Sequence, residues 1–228
     1  MKQLWLTAAA IAGAAFITPP VAVADDGTRL FQDWHYGQHI DEFPRSQGYY
    51  DCSGDLGVLA LCHDNIAFLQ YQFHGQLLFA DDNTLVRTNI LADYSDDLYA
   101  TVVGALVRSF ALAFAEGPNN TFDMVEHVQQ GTFNDERSLS IALTEFESDQ
   151  LRQGYFGMVM IEQDGLASMQ SATSVQDLLL DLPEDVRAAD VYVYEDEWGP
   201  LVEAAFYLPG RQRDRVFDKA TQAPIEDF

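Results

Sequence analysis

The chain has 228 residues, with 36 Asp and Glu against 12 Lys and Arg and a formal net charge of −24 at pH 7. Such an acidic surface repels nucleic acid phosphates and anionic lipid headgroups, which argues against both as partners. The length suffices for one large domain or two small ones with real cores.

The first residues predict the compartment. Lys2 precedes an apolar run from Leu4 to Ile17, too short to span a bilayer, and Ala22-Val23-Ala24 supplies a small-residue cleavage pattern. The pattern predicts an export signal over 1–24, with no membrane span after its removal and a periplasmic or secreted location. All the acidic residues follow Ala24, and Lys219 is the one lysine beyond it. This composition resembles that of proteins from salt-loving organisms, where ionic strength screens self-repulsion; a dedicated cationic partner is the alternative.

Asp25 to Arg29 reads as a frayed start, and Gln38 to Phe43 as a short helix broken by Pro44. Gly48 to Cys62 is expected to be irregular strand and loop. In Ala67 to Phe73, Leu69, Tyr71 and Phe73 alternate with Gln70 and Gln72, as on a strand, and Gly75 marks a turn before Leu77 to Phe79. Asp81-Asp82-Asn83 is turn chemistry, and Leu85 to Leu91 a third strand.

Asp96 to Glu116 carries the longest helical pattern. Leu98, Val102, Leu106, Phe110 and Ala113 recur at steps of three and four, Ser95 is placed to cap, and Gly117-Pro118 to stop it. Its other side holds Ala100, Gly104, Ala111 and Ala115. A helix apolar on one side and small on the other predicts a central rod covered from both sides.

Beyond Pro118-Asn119-Asn120, Phe122 to Val128 reads as extended. Asn134 is placed to cap a helix with Leu139, Ala142, Leu143 and Phe146 on one face. Tyr155 to Ile161 is a strand, Asp164-Gly165 a turn, and Val175 to Leu182 a helix closed by Pro183. Val191 to Tyr194 and Leu201 to Leu208 pair as a hairpin, and Pro209-Gly210 ends the fold. Strands and helices mix without strict alternation, so the expected class is α+β, with antiparallel sheets packed on a central buried helix. Two similar-sized halves, 25–117 and 118–210, precede a flexible tail, 211–228, that holds Arg211, Arg213 and Arg215.

Cys52 and Cys62, the only two cysteines, are expected to pair in an exported chain. Closing so short a loop contributes about 3 kcal/mol in the chain-entropy model. The alternative is a thiolate at Cys62 assisted by His63. His35 and His39 stand four apart near Asp33, Asp41 and Glu42, a spacing that could share a metal, but Gly37 lies between them and no third ligand is indicated. Carboxylates group at Asp81-Asp82, at Glu145, Glu147 and Asp149, and at Glu195-Asp196-Glu197, where solvation explains them as well as acid/base work does. Trp34, Tyr36, Tyr49 and Tyr50 could form a peptide- or sugar-binding platform or fill a core. No serine elbow, phosphate loop or C-x-x-C motif is present, and no cofactor is indicated.

Tyr36-Gly37 opening the first helix, followed by a meander, resembles small bacterial envelope domains such as the β-lactamase inhibitor protein and the small lipoprotein of the outer-membrane assembly machine, over Trp34 to Leu91. The helix start Gly37-Gln38-His39 stands where those domains carry Gly-Met-Ser/Thr. Gly48-Tyr49-Tyr50-Asp51-Cys52 is similar to uncharacterised exported proteobacterial proteins. The resemblance implies an inhibitor-like binding module acting on another envelope protein or a peptide; an envelope hydrolase using carboxylates or a His-bound metal is the alternative.

Overall fold

The computed structural model describes residues 28–213. The export signal over 1–24 and the tail beyond Arg213 lie outside the described residues. Strands β1 (Arg29–Phe31) and β2 (Trp34–His35) form a small ribbon. There follow β3 (Tyr50–Asp51), α1 (Ser53–Leu56), and the strands β4 (Ala60–Phe68), β5 (Tyr71–Phe79) and β6 (Leu85–Asp93). Next come α2 (Asp96–Leu106), β7 (Phe110–Glu116), β8 (Thr121–Asp123), α3 (Met124–Gln130) and α4 (Glu136–Leu151). The chain continues through β9 (Phe156–Glu162), α5 (Leu166–Ser171), α6 (Val175–Asp181), β10 (Ala188–Asp196) and β11 (Gly199–Tyr207). The class is α+β. Nine strands make one antiparallel sheet in the order β3-β4-β5-β6-β11-β10-β9-β7-β8. Residue 117 lies in the β7–β8 connection, and strands from either side of it neighbour one another: β6 pairs with β11, and β7 with β9.

Side-chain alternation divides the sheet into two unlike faces. The first face carries Phe73, Leu77, Ile90, Val202, Ala204, Phe206, Val191, Met158 and Met160, all buried. Rings covering it identify its partners. Phe31 stacks on Phe206 at 5.0–5.1 Å from its ring neighbours, and Phe146 of α4 meets both Phe122 and Phe156. The Tyr99 hydroxyl of α2 donates to Glu147 of α4, so both helices lie on this face. Gly75 is central in β5, not at a turn, because the Trp34 ring sits where a side chain would be: a Cβ there would come within 2.9 Å of it. Among the described residues, the second face is covered at its ends. At one end α1 packs on β4 beside the disulfide. At the other, Leu182 and Val186 close over Gly165 and Ile161.

The expected helix over 96–116 is two elements. α2 ends at Leu106, Val107 to Ser109 are exposed, and 110–116 is a strand inside the sheet. Phe110, Leu112 and Phe114 alternate with Ala111, Ala113 and Ala115, a period of two that the helical spacing masked. Ala100 and Gly104 are exposed, and nothing lies within 4 Å of a Cβ placed at Gly104. The small side of α2 therefore faces water, and the element around which both halves pack is the sheet.

Other boundaries also move. The expected strand over Ala67–Phe73 is the β4–β5 hairpin, which turns at Leu69 and Gln70 with φ of 50° and 70°. Phe122 to Val128 is extended only to Asp123, whose carboxylate accepts from the Val125 and Glu126 amides and starts α3. Asp135, not Asn134, caps α4. The chain does not end its structure at Pro209-Gly210: residues 209–213 are helical. Arg211 of this turn donates to the Glu184 carbonyl at 3.2 Å and lies over the Tyr36 ring at 5.2 Å, and Arg213 donates to the Leu180 carbonyl.

Candidate functional site

The second face of the sheet is polar and aromatic between its covered ends. Its residues come from β5, β6, β10 and β11 at every other position, and from β7 and β9. One row of register partners runs His74–Leu91–Glu203–Tyr192–Gly157–Glu116. A second runs Gln76–Asn89–Ala205–Asp190. These positions are half-buried where the opposite face is fully buried, except for Asn89, Ala205, Asp190 and Gly157, which lie beneath their larger neighbours.

Hydrogen bonds join the rows. Asp190 accepts from Arg87 Nη2 at 3.1 Å and from the Tyr207 hydroxyl at 2.9 Å. Arg87 Nε donates to Asn89 Oδ1 at 3.0 Å, and Asn89 Nδ2 to Gln76 Oε1 at 3.3 Å. Tyr194 donates to Glu203 Oε2 at 3.0 Å, and Tyr155 to Glu116 Oε1 at 2.7 Å. Tyr155 stacks on Tyr192 with ring centroids 6.5 Å apart. Gly157 is required beneath them: a Cβ would stand 2.9 Å from the Tyr192 ring.

Burial dominates the electrostatics here. It raises the Asp190 carboxyl above the ordinary range, against the pull of Arg87 and Tyr207. It raises Glu203 too, where the Tyr194 hydrogen bond and, after it, the Arg87 charge offset it only in part. The Tyr192 phenol is pushed up to about 12, by burial first and by Asp190 second. Glu203 differs from Asp190 in one respect: among the described residues it forms no ion pair. The face thus presents a half-buried carboxylate, between two tyrosines, with no ion-pair contact among the described residues and Arg87 acting on it only from a distance.

At the β10–β11 tip, Asp196 accepts from the Trp198 and Gly199 amides, and the Trp198 ring is 87 % exposed. Toward β3, Asp64 accepts from the Tyr50 hydroxyl at 2.6 Å and bonds His74 Nδ1 at 3.1 Å. No hydroxyl or thiol bonds the His74 ring among the described residues.

Cys52 and Cys62 are disulfide-bonded, with sulfurs 2.11 Å apart and Cα atoms at 5.8 Å. His63 turns away from them, with Nε2 against the Gln47 carbonyl at 3.0 Å. His35 bonds the Asp33 carbonyl, while His39 caps its own short helical turn by accepting from the Asp41 amide. No group of three or more potential metal-ligating side chains occurs among the described residues. Trp34 and Tyr36 are core residues, 6 % and 8 % exposed; Tyr49 is half-buried and receives the Trp34 indole N–H at 2.9 Å, and only Tyr50 is open. Those four rings therefore do not form one exposed platform. Of the carboxylate groups, Glu147 is bonded by Tyr99, Asp149 pairs with Arg152, and Asp82 accepts from Thr84.

Sequence reasoning missed Arg87, Asp190, Tyr192, Tyr194, Glu203 and Tyr207. A signal was present: Asp190, Tyr192 and Tyr194, and likewise Glu203 and Tyr207, stand at alternate positions of strands otherwise filled with Val and Ala. No helix among the described residues is long and apolar enough to cross a membrane. No family model, curated protein or solved structure matches the chain.

Proposed function

We propose that the chain is an exported binding module, inhibitor-like in kind, which captures a basic segment of an envelope protein or a basic peptide on the open face of its sheet. The observation that carries this reading is Glu203. Its carboxylate is half-buried, held by Tyr194, opposite Tyr192, and forms no ion pair among the described residues, with Arg87 acting on it only from a distance. A cationic side chain placed there gains a desolvated carboxylate and two ring faces together. The excess of acidic residues attracts such a partner at longer range. Trp198 at the hairpin tip adds an exposed ring of the kind that anchors interfaces.

Calorimetric titration with a Lys- and Arg-containing peptide and with its Glu-substituted counterpart tests the reading, with Trp198 fluorescence as a second signal. Binding of the basic peptide alone, weakened about tenfold in Glu203→Gln, is expected. Equal binding of both peptides, or of neither, would count against it.

A further inference from the structure

At the margin of the same face lies a cavity of opposite character. It holds about 440 Å³, within the size range of small-molecule sites. Leu179 and Leu180 of α6, the Tyr207 ring and Pro209 form its apolar wall, and Arg87, Gln212 and Arg213 complete it. Two guanidiniums on one small cavity are a local exception in a chain with 12 basic residues against 36 acidic ones.

The polar wall offers donors. Arg87 commits Nε to Asn89 and Nη2 to Asp190, and its Nη1 has no protein partner among the described residues. Its guanidinium carbon lies 5.0 Å from the centre of the Tyr207 ring. The Tyr207 hydroxyl is taken by Asp190, so its ring, not its oxygen, faces the apolar wall. Arg213 is anchored at the rim by the Leu180 carbonyl. A peptide would bring backbone N–H groups that need acceptors, and the side chains here supply one, the Gln212 amide. A ligand with an anionic head and a plain hydrocarbon body makes no such demand.

We infer that this cavity binds a small fatty-acid-like carboxylate, its head accepting from Arg87 and Arg213 and its chain lying on Leu179, Leu180 and Pro209. The site does not include Glu203 and takes the opposite charge.

The test is calorimetric titration of the mature chain with octanoate, with octylamine and with a short peptide ending in leucine. Octanoate is expected to bind one per chain, about tenfold or more tightly than the other two. Its affinity is expected to fall about tenfold in Arg213→Gln and in Leu180→Glu. Leu180 is 46 % exposed, so its substitution leaves the fold intact while placing a like charge on the wall. No heat with octanoate, equal or tighter binding of octylamine or of the peptide, or unchanged affinity in both variants would overturn the assignment.

Discussion

Arg87 on β6 and Asp190 on β10 are 3.1 Å apart, although β11 lies between their strands and 103 residues separate them in sequence. The guanidinium crosses the Tyr207 ring of β11, and the Tyr207 hydroxyl donates to the same carboxylate. One buried carboxylate thus ties three strands, drawn from distant parts of the chain. Removing the cation leaves that carboxylate in a site 4 % exposed, with phenols as its remaining side-chain donors. Arg87→Ala is expected to lower the unfolding free energy by about 3 kcal/mol. Asp190→Asn should cost less, since the Arg87 guanidinium left without its carboxylate is about a quarter exposed and the Asn carbonyl can still accept from it. Urea denaturation of both variants checks the order.

Glu203 gives the pH dependence a sign. Its folded pKa is raised above the unfolded value, so the folded state holds the proton more tightly between the two. The stability associated with the protonated form is present in full below the ordinary value near 4.5 and is lost as pH rises through the folded value. Glu203→Gln has no charge to bury. Its stability relative to the native chain is therefore expected to grow as the pH is raised from about 4 to 7, in a series of denaturation curves. A constant difference would place Glu203 in water.

Gly157 carries the tyrosine face on its bare Cα. An added Cβ would stand 2.9 Å from the Tyr192 ring and 3.2 Å from Glu116 Cγ. Gly157→Ala is expected to displace Tyr192, to cost about 1–3 kcal/mol and to weaken basic-peptide binding. Stability and affinity should fall together in this variant, which denaturation and calorimetry on one preparation would show.

Thr88 is buried on the other face, opposite Leu77 and Phe206, and its hydroxyl has no hydrogen-bond partner among the described residues. Thr88→Val replaces that hydroxyl by a methyl group of similar shape. A gain of about 1 kcal/mol in unfolding free energy is expected, with peptide binding unchanged.

Much of the local structure was written in local chemistry. Ser95 caps α2 by accepting from the Leu98 amide, Asn83 turns the chain with φ of 64°, and β10 and β11 pair as the alternation implied. The failures have physical causes. Leu69 and Gln70 turn the β4–β5 hairpin with positive φ, where Asn and Gly are the residues that announce such a turn. Residues 96–116 satisfy a helical spacing throughout, which competes with the alternation over 110–115, and the pairing of β7 with β8 and β9 decides that the second part is a strand. Tertiary pairing is not visible in a window of residues. The polar face was hidden for the same reason. Arg87, Asp190 and Glu203 are unremarkable singly, and become a site only when β11 is inserted between β6 and β10.

The most direct measurement follows the Glu203 carboxyl by carbon NMR through a pH titration, with and without a saturating basic peptide. A cation seated between Tyr192 and Tyr194 adds a counter-charge in contact, so the account predicts a raised pKa in the free chain that falls when the peptide is bound. A Glu203 pKa unmoved by a peptide that demonstrably binds would contradict it.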